Sequence, residues 1–449
     1  MHYEKLQDGT VKCIEDEIPF EVPEGWAWCK LNDIYNFIDY RGATPTKITN
    51  GIPLVTAKNV KSGYIDYTID DYISEEEFKE RQQRGISKKG DILFTTEAPL
   101  GNAALADMEK FSAGQRLITF QQYGSKNELI NYVMLMFILS DFFQQQLYVN
   151  KTGSTVAGIK AAILKTLWIP VPPYNEQLRI SNTLKSAINL IDSISKNKEI
   201  LSTSISNTKS KILDLAIRGK IVPQDPNDEP ASVLLERIRA EKEELIKQGK
   251  IKRDKKESVI FKGDDNSYYG IHLPDSWNWA SLREIALSIS DGSHNPPPNN
   301  GSGIPLLSAA NINDNSILMN EISRWITNEE WKIENQRTNI EVGDVLLTIV
   351  GSIGRSAVVQ NNNHFALQRS VAVIKPCLIN PLYLMHIVQS PQIQKWLTDN
   401  SKGTAQKGIY LNALSLMIIP IPPLAEQARI VEHIHIAYKH LDLISNALL

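Results

Sequence analysis

Three short stretches in each half of this 449-residue chain set hydrogen-bond donors at turn-like positions. In the first half these are Tyr40 to Lys47, carrying Arg41, Thr44 and Lys47, then Lys58-Asn59, then Asn150 to Thr155, carrying Lys151, Gly153, Ser154 and Thr155 and leading to Lys160. In the second half they are Asp291 to His294, carrying Ser293 and His294, then Asn311, then Ser401 to Lys407, carrying Lys402, Gly403, Thr404, Gln406 and Lys407 and leading to Tyr410. Glycine lets backbone approach a phosphate closely, hydroxyls and backbone amides are neutral donors, and lysine adds charge. Gln115-Arg116 and Gln368-Arg369 supply the side chains that make bidentate contacts to adenine and guanine edges. This donor chemistry suits double-stranded DNA. A buried Gln-Arg scaffold pair is an equal reading, because a group present in both halves does not explain two different sequence preferences. Specificity is expected where the halves differ, as in Arg41 to Lys47 against His294 to Asn300.

Catalytic patterns are missing. Gly153 to Gly158 is followed by Ile159-Lys160 without the hydroxyl residue of a phosphate-binding loop, and Gly351-Ser-Ile-Gly354 has no lysine after it. The eight histidines are scattered and form no His-Glu-x-x-His. Asn295-Pro-Pro-Pro298 lacks the aromatic residue, and Val171-Pro-Pro-Tyr174 the polar one, that would hold a flipped base for amino-methylation. The expectation is a chain that is not an enzyme, with no metal and no cofactor of its own.

A hydrophobic content of 42% and a charged content of 22% fit a globular chain with room for two to four domains. Its longest apolar run, Tyr132 to Leu139, is too short for a bilayer, and no signal peptide is visible at the amino terminus. Three cysteines without ligand-like spacing fit a reducing, cytoplasmic setting. The net charge of −3 means that any attraction for nucleic acid must be local.

The elements that must position these loops occur twice, in the same order. Val22-Pro-Glu-Gly-Trp26-Ala-Trp28 returns as Leu273-Pro-Asp-Ser-Trp277-Asn-Trp279, and Gly51-Ile-Pro-Leu54 as Gly303-Ile-Pro-Leu306. Gly90-Asp-Ile-Leu-Phe-Thr95 returns as Gly343-Asp-Val-Leu-Leu-Thr348. Ile169-Pro-Val-Pro-Pro-Tyr-Asn-Glu-Gln-Leu-Arg-Ile180 returns as Ile419-Pro-Ile-Pro-Pro-Leu-Ala-Glu-Gln-Ala-Arg-Ile430. Such an offset is too long for a solenoid repeat of roughly 20–50 residues, so it marks a duplicated domain. Each copy reads as a turn-rich α+β module of short strands. One helix interrupts each set of strands, near Glu128 to Val149 and Pro381 to Leu397.

Between the modules the apolar period changes. Ten positions stepping by three and four hold Leu184, Ala187, Ile191, Ile194, Leu201, Ile205, Ile212 and Leu215, with Lys198 and Thr208 the polar exceptions, the seam of a coiled coil on a helix of roughly 65 Å. Ile434, Ala437, Leu441, Ile444 and Leu448 form a shorter seam after the second module. A loop from Lys220 to Pro230, a charged and exposed helix from Ser232 to Lys247 and a basic linker to Lys256 complete the centre. The expected domains are 1–172 and 257–422 for the modules, 173–256 for the centre, and 423–449 for the terminal helix. The two helices are expected to pair antiparallel with a module at each end, and the uncovered part of the longer seam to take a partner.

The duplicated Ile-Pro-x-Pro-Pro-x-x-Glu-Gln-x-Arg-Ile junction, Gly-Asp-Ile/Val-Leu, Gly153-Ser154-Thr155 and Ile221 to Glu236 closely resemble the DNA-specificity subunit of type I restriction–modification enzymes. The resemblance covers nearly the whole chain. It implies two target-recognition domains separated by long helices that form an antiparallel coiled coil, each domain binding one half of a split DNA site. It further implies two adenine methyltransferase subunits and, in the full complex, restriction subunits as partners. S-adenosylmethionine, ATP and Mg would belong to those partners. The short terminal helix and the lack of a second counterpart of Lys220 to Lys256 depart from that pattern. A two-headed protein-binding scaffold with no DNA role is the competing reading, supported by the net negative charge. An enzyme with fused methylation chemistry is the third.

Overall fold

The computed structural model describes residues 3–6, 8–40, 44–68, 70–123, 129–153, 157–253, 267–403 and 407–448. Arg41, Ser154, Thr155, Thr404 and Gln406 of the expected DNA contacts lie outside these residues. The chain divides into two compact units, 1–194 and 195–449.

Both units are built on a four-stranded sheet of the same strand order. In the first, a four-stranded antiparallel sheet runs in the order Tyr35–Asp39, Leu117–Gln122, Ile92–Thr96, Leu100–Leu105. In the second, the order is Ala286–Asp291, Val371–Pro376, Val345–Thr348, Ser356–Val358. Side chains alternate across a strand. Ile92 and Phe94 therefore enter one apolar cluster with Val133, Met134 and Phe143, while Leu93 enters another with Ile38 and Ala104. Val345 and Leu347 divide from Leu346 in the same way. A strand buried on both faces reads as a continuous apolar run, which is what Gly-Asp-Ile/Val-Leu introduces.

The repeated Gly-Asp is a strand-entry turn. Gly90 and Gly343 take φ +90° and +95°, where a side chain would be strained. Asp91 then accepts from the Lys88 amide at 2.7 Å, and Asp344 from the Glu341 amide at 2.8 Å. Burial pushes both carboxyls above their ordinary range.

A two-stranded ladder closes each unit, pairing Ala27–Lys30 with Trp168–Val171 and Asn278–Ser281 with Ile418–Ile421. The repeated Glu-Gln that follows has a structural role. Gln177 is buried, accepts from the Ile130 amide at 2.7 Å and donates to the Pro172 carbonyl at 2.9 Å. Gln427 does the same with Asn380 at 2.9 Å and Pro422 at 3.1 Å. One side chain in each unit thus ties the start of the seam helix to the start of the helix packed on the sheet.

Three expectations change. Each single interrupting helix is a pair, Asn131–Leu139 with Asp141–Asn150 and Pro381–Val388 with Pro391–Asp399. Ser140 and Ser390 are extended at the break, each donating its hydroxyl to the carbonyl three residues back at 2.6 Å. The charged helix, Ala231–Lys247, is not an exposed element. Leu234, Leu235 and Ile238 are buried in the core of the second unit, each contributing about 1.5–3 kcal/mol. Arg239 pairs with Glu284 at 2.7 Å, and Lys242 donates to the Arg283 carbonyl at 3.0 Å. The charges follow the buried stripe because they have partners on the module.

The third change concerns the seam. The long helix runs unbroken from Tyr174 to Ile217, just after Pro172-Pro173, and the terminal helix from Leu424 to Asn446. Within the second unit they lie antiparallel. Lys209 pairs with Asp442 at 2.5 Å and its carbonyl accepts from Tyr438, while Ile217 shares a cluster with Ile430 and Ile434. Ile205 is buried, but Ile212 and Leu215 are only half-buried, and Leu213, Ala216 and Ile217 carry the contact instead. An uncoiled helix drifts about 20° per heptad, which rotates the expected seam off the contact by its end. Leu184 is half-buried, whereas Ile191, Ile194 and Leu201 are 60%, 59% and 40% exposed. On the terminal helix Leu441 is half-buried and Ile444 exposed.

Candidate nucleic-acid interface

Two of the donor loops and the Gln-Arg pair meet at one end of an inner strand of each four-stranded sheet. In the first unit that strand is Ile92–Thr96, and the Thr96 amide donates to the Arg116 carbonyl at 3.0 Å. The Ile159 amide donates to the Thr96 carbonyl at 3.0 Å. Thr152 and Gly158 exchange backbone hydrogen bonds at 2.8 and 3.0 Å, closing the loop between them. Thr44 donates its hydroxyl to Gln115 at 2.9 Å, and Arg116 pairs with Glu97 at 3.1 Å. Thr44, Gln115, Arg116 and the Gly153 loop therefore belong to one surface. Gly153 takes φ +93° at its turn. Lys151 lies 3.6 Å from the Tyr148 ring centre, and exposed Lys160 precedes the short helix Ala161–Leu164. Lys47 is engaged by Asp71 at 2.7 Å.

The second unit repeats this convergence at Val345–Thr348. Lys402 and Gly408 exchange backbone hydrogen bonds at 2.8 and 2.9 Å, and the Ile409 amide donates to the Ile349 carbonyl at 2.9 Å. The Ser293 amide donates to the Leu367 carbonyl at 2.7 Å, and the Arg369 amide to the Ser293 carbonyl at 2.9 Å. Gly292 permits this approach, since a Cβ there would sit 2.1 Å from the Leu367 oxygen. Ser293 is consequently buried and Gln368 half-buried, while His294, Arg369, Lys402, Gly403, Lys407 and Tyr410 stay exposed. An open cleft of about 540 Å³ lies among them, with His294, Arg337, Arg369, Lys402 and Tyr410 on its wall and Asp291 the only acid among the described lining residues. A chain of net charge −3 thus carries a local cationic surface.

Two expected contacts belong to the scaffold. Asn59 is buried, accepts from the Thr56 amide at 2.9 Å and hydroxyl at 2.7 Å, and donates to the Asp66 carbonyl at 3.0 Å. Asn311 repeats this with the Ser308 amide at 3.0 Å and the Glu321 carbonyl at 2.8 Å. Both side chains hold turns, because a short amide can replace a missing backbone partner. Lys58, next to Asn59, is exposed.

Arg337 was not among the expected residues. It stands in Gln336-Arg337, which repeats Gln83-Arg84 at the 253-residue offset of Gly90 and Gly343, so the signal was present in the sequence. Among the described residues no group of three or more His, Cys, Asp or Glu could hold a metal ion, and no helix is long and apolar enough to cross a membrane.

The profile of the type I restriction modification DNA specificity domain matches residues 23–202 and 274–448. Among curated relatives, the EcoEI specificity subunit of Escherichia coli is 26% identical, over 99% of this chain and 83% of its own. The EcoBI specificity subunit of Escherichia coli is 23% identical, over 94% of this chain and 81% of its own. The crystal structure of the HsdS subunit from Thermoanaerobacter tengcongensis has the same fold, with a TM-score of 0.53 and 18% identity over 96% of this chain and 94% of that one. A structure described as the basis of complex assembly and conformational transition of the type I R-M system gives a TM-score of 0.60 and 17% identity over the same shares. Two matched domains, each with the same loops gathered at the same strand end, mean that this chain belongs to the type I restriction–modification DNA-specificity family.

Proposed function

We propose that each unit reads one half of a bipartite double-stranded DNA site through its gathered loops, and that the long helix sets the spacing between the halves. The observation that carries this reading is the convergence of the Thr44, Gln115-Arg116 and Gly153 segments at one strand end, repeated in the second unit by the Ser293, Gln368-Arg369 and Gly403 segments around a cationic cleft. Loops shared by both units suit contacts to the DNA backbone, and residues that differ, such as His294, suit contacts to bases. The chain supplies recognition only. Two adenine methyltransferase subunits, which hold S-adenosylmethionine, and restriction subunits, which use ATP and Mg, dock on it. The exposed apolar residues Ile191, Ile194 and Leu201 support a partner on the long helix.

Spacer length tests the reading. Lengthening the spacer by one base pair rotates the half-sites by about 35° relative to one another (roughly 10.5 base pairs per turn) and should abolish tight binding. Binding that ignores the spacer would refute the bipartite reading. In a salt titration, log K should fall steadily with log salt, since neutralising phosphates releases counterions.

A further inference from the structure

We propose that Arg337 grips a DNA phosphate in the second unit and that Asp291 positions it for this. The proposal rests on the DNA-reading function above. Arg337 donates from Nε to the Asp291 carbonyl at 2.9 Å and from Nη2 to one oxygen of the Asp291 carboxylate, whose other oxygen accepts from His294 Nε2 at 2.8 Å. Asp291 is buried at the end of its strand, while the Arg337 side chain is half exposed on the cleft wall. The guanidinium is therefore tethered along one edge. Its Nη1, with two N–H groups, has no partner among the described residues.

This geometry favours a phosphate over a base. Bidentate reading of guanine takes two adjacent guanidinium donors, and the Nε–Nη2 edge is already engaged by Asp291. A single free nitrogen suits a charge-assisted bond to one phosphate oxygen. Arg369 and Lys402, on the same wall, have no acidic partner among the described residues, so the cleft gathers three cations against one carboxylate. The sequence points the same way. Arg84 and Asp39 occupy the corresponding positions of the first unit, at offsets of 253 and 252. Residue types present at the same positions in both units suit what the half-sites share, and every half-site has the same backbone.

The test uses the full chain and duplexes that the wild type selects from a randomised pool. Arg337→Gln should weaken every selected duplex by the same factor, about tenfold, and reduce the salt slope by about 0.9, one phosphate's share. Arg337→Lys keeps the charge and should restore the slope. Loss of preference at a single base position would overturn the proposal in favour of base reading. Unchanged affinity and slope in Arg337→Gln would overturn it outright. A slope equally reduced in Arg337→Lys would assign the residue a structural role and also overturn it. Should the wild type select no duplex, the DNA reading itself fails, which is a separate outcome from a variant that binds as wild type does.

Discussion

Trp277 donates its indole N–H to Glu426 at 3.0 Å, whereas Trp26, at the same place in the repeat, keeps its indole N–H buried without an acceptor among the described residues. The other Glu426 oxygen accepts from Gln224 at 2.5 Å, in the loop between the long helix and the charged helix. That loop has no repeat in the first half, and Glu176 has no such donor among the described residues. Burial raises the Glu426 carboxyl above its ordinary range, opposed by the two donors. Trp277→Phe removes a buried bond and leaves a buried acceptor short of a partner. Trp26→Phe removes ring area together with a buried donor that has no acceptor among the described residues. The first should cost about 1–3 kcal/mol more than the second. Hydrogen exchange resolved by unit measures this difference, and equal losses would show that the Trp277 bond adds nothing.

His386 makes the second unit sensitive to acid. It packs edge-on to Tyr438 with ring centres 6.0 Å apart, and its Nδ1 is buried without a partner among the described residues. Burial pushes its pKa down to about 4, opposed by a bond with Gln389 and assisted by the charge of His435. The unfolded chain binds a proton near the ordinary value of about 6.5, and the folded one does not until about 4. Stability from this group is thus complete above about 6.5 and is lost as pH falls toward 4, by about 3 kcal/mol in all. Denaturant unfolding across that range should show the loss in the wild type and not in His386→Phe. The same acid slope in both would assign it to other groups.

The duplication and the module class were legible because repeated motifs need no structure to be compared. Gly90-Asp91 and Gln177 repeat because turns and helix starts accept few substitutes, and their partners are the same in both units. What lay hidden depends on neighbours distant in sequence. Leu234, Leu235 and Ile238 show a stripe, but only the fold shows that Arg239 and Lys242 beside it have partners near Glu284. Ser140 breaks a helix whose apolar pattern continues across it, since a single serine interrupts no periodicity. Asn59 has the composition of a DNA contact and the environment of a turn, a difference that burial alone decides.

The two parts of the seam should respond oppositely to charge. Ile205 is buried, and Ile205→Asp places an unpaired carboxylate there, costing roughly 3 kcal/mol or more. Ile191→Asp changes an exposed residue and should leave the chain folded with its melting temperature unchanged. If a partner covers that face, the same change weakens capture of the methyltransferase subunit. Melting curves and a pull-down with that subunit separate the effects. Undiminished capture by Ile191→Asp would count against this face as the docking surface.

Lys58 and Asn59 are adjacent, and the structure separates their roles. Asn59→Ala leaves the Thr56 amide and the Asp66 carbonyl without their partner in a buried turn, a loss of about 2–3 kcal/mol. Asn311→Ala should behave alike in the second unit, because Ser308 and Glu321 depend on it in the same way. Lys58 is exposed beside that turn, so Lys58→Ala should leave the melting temperature unchanged while DNA affinity falls equally for all sequences. The salt slope should decrease by about 0.9 for the phosphate given up. A changed slope in Asn59→Ala at a temperature where it remains folded would return that residue to the interface.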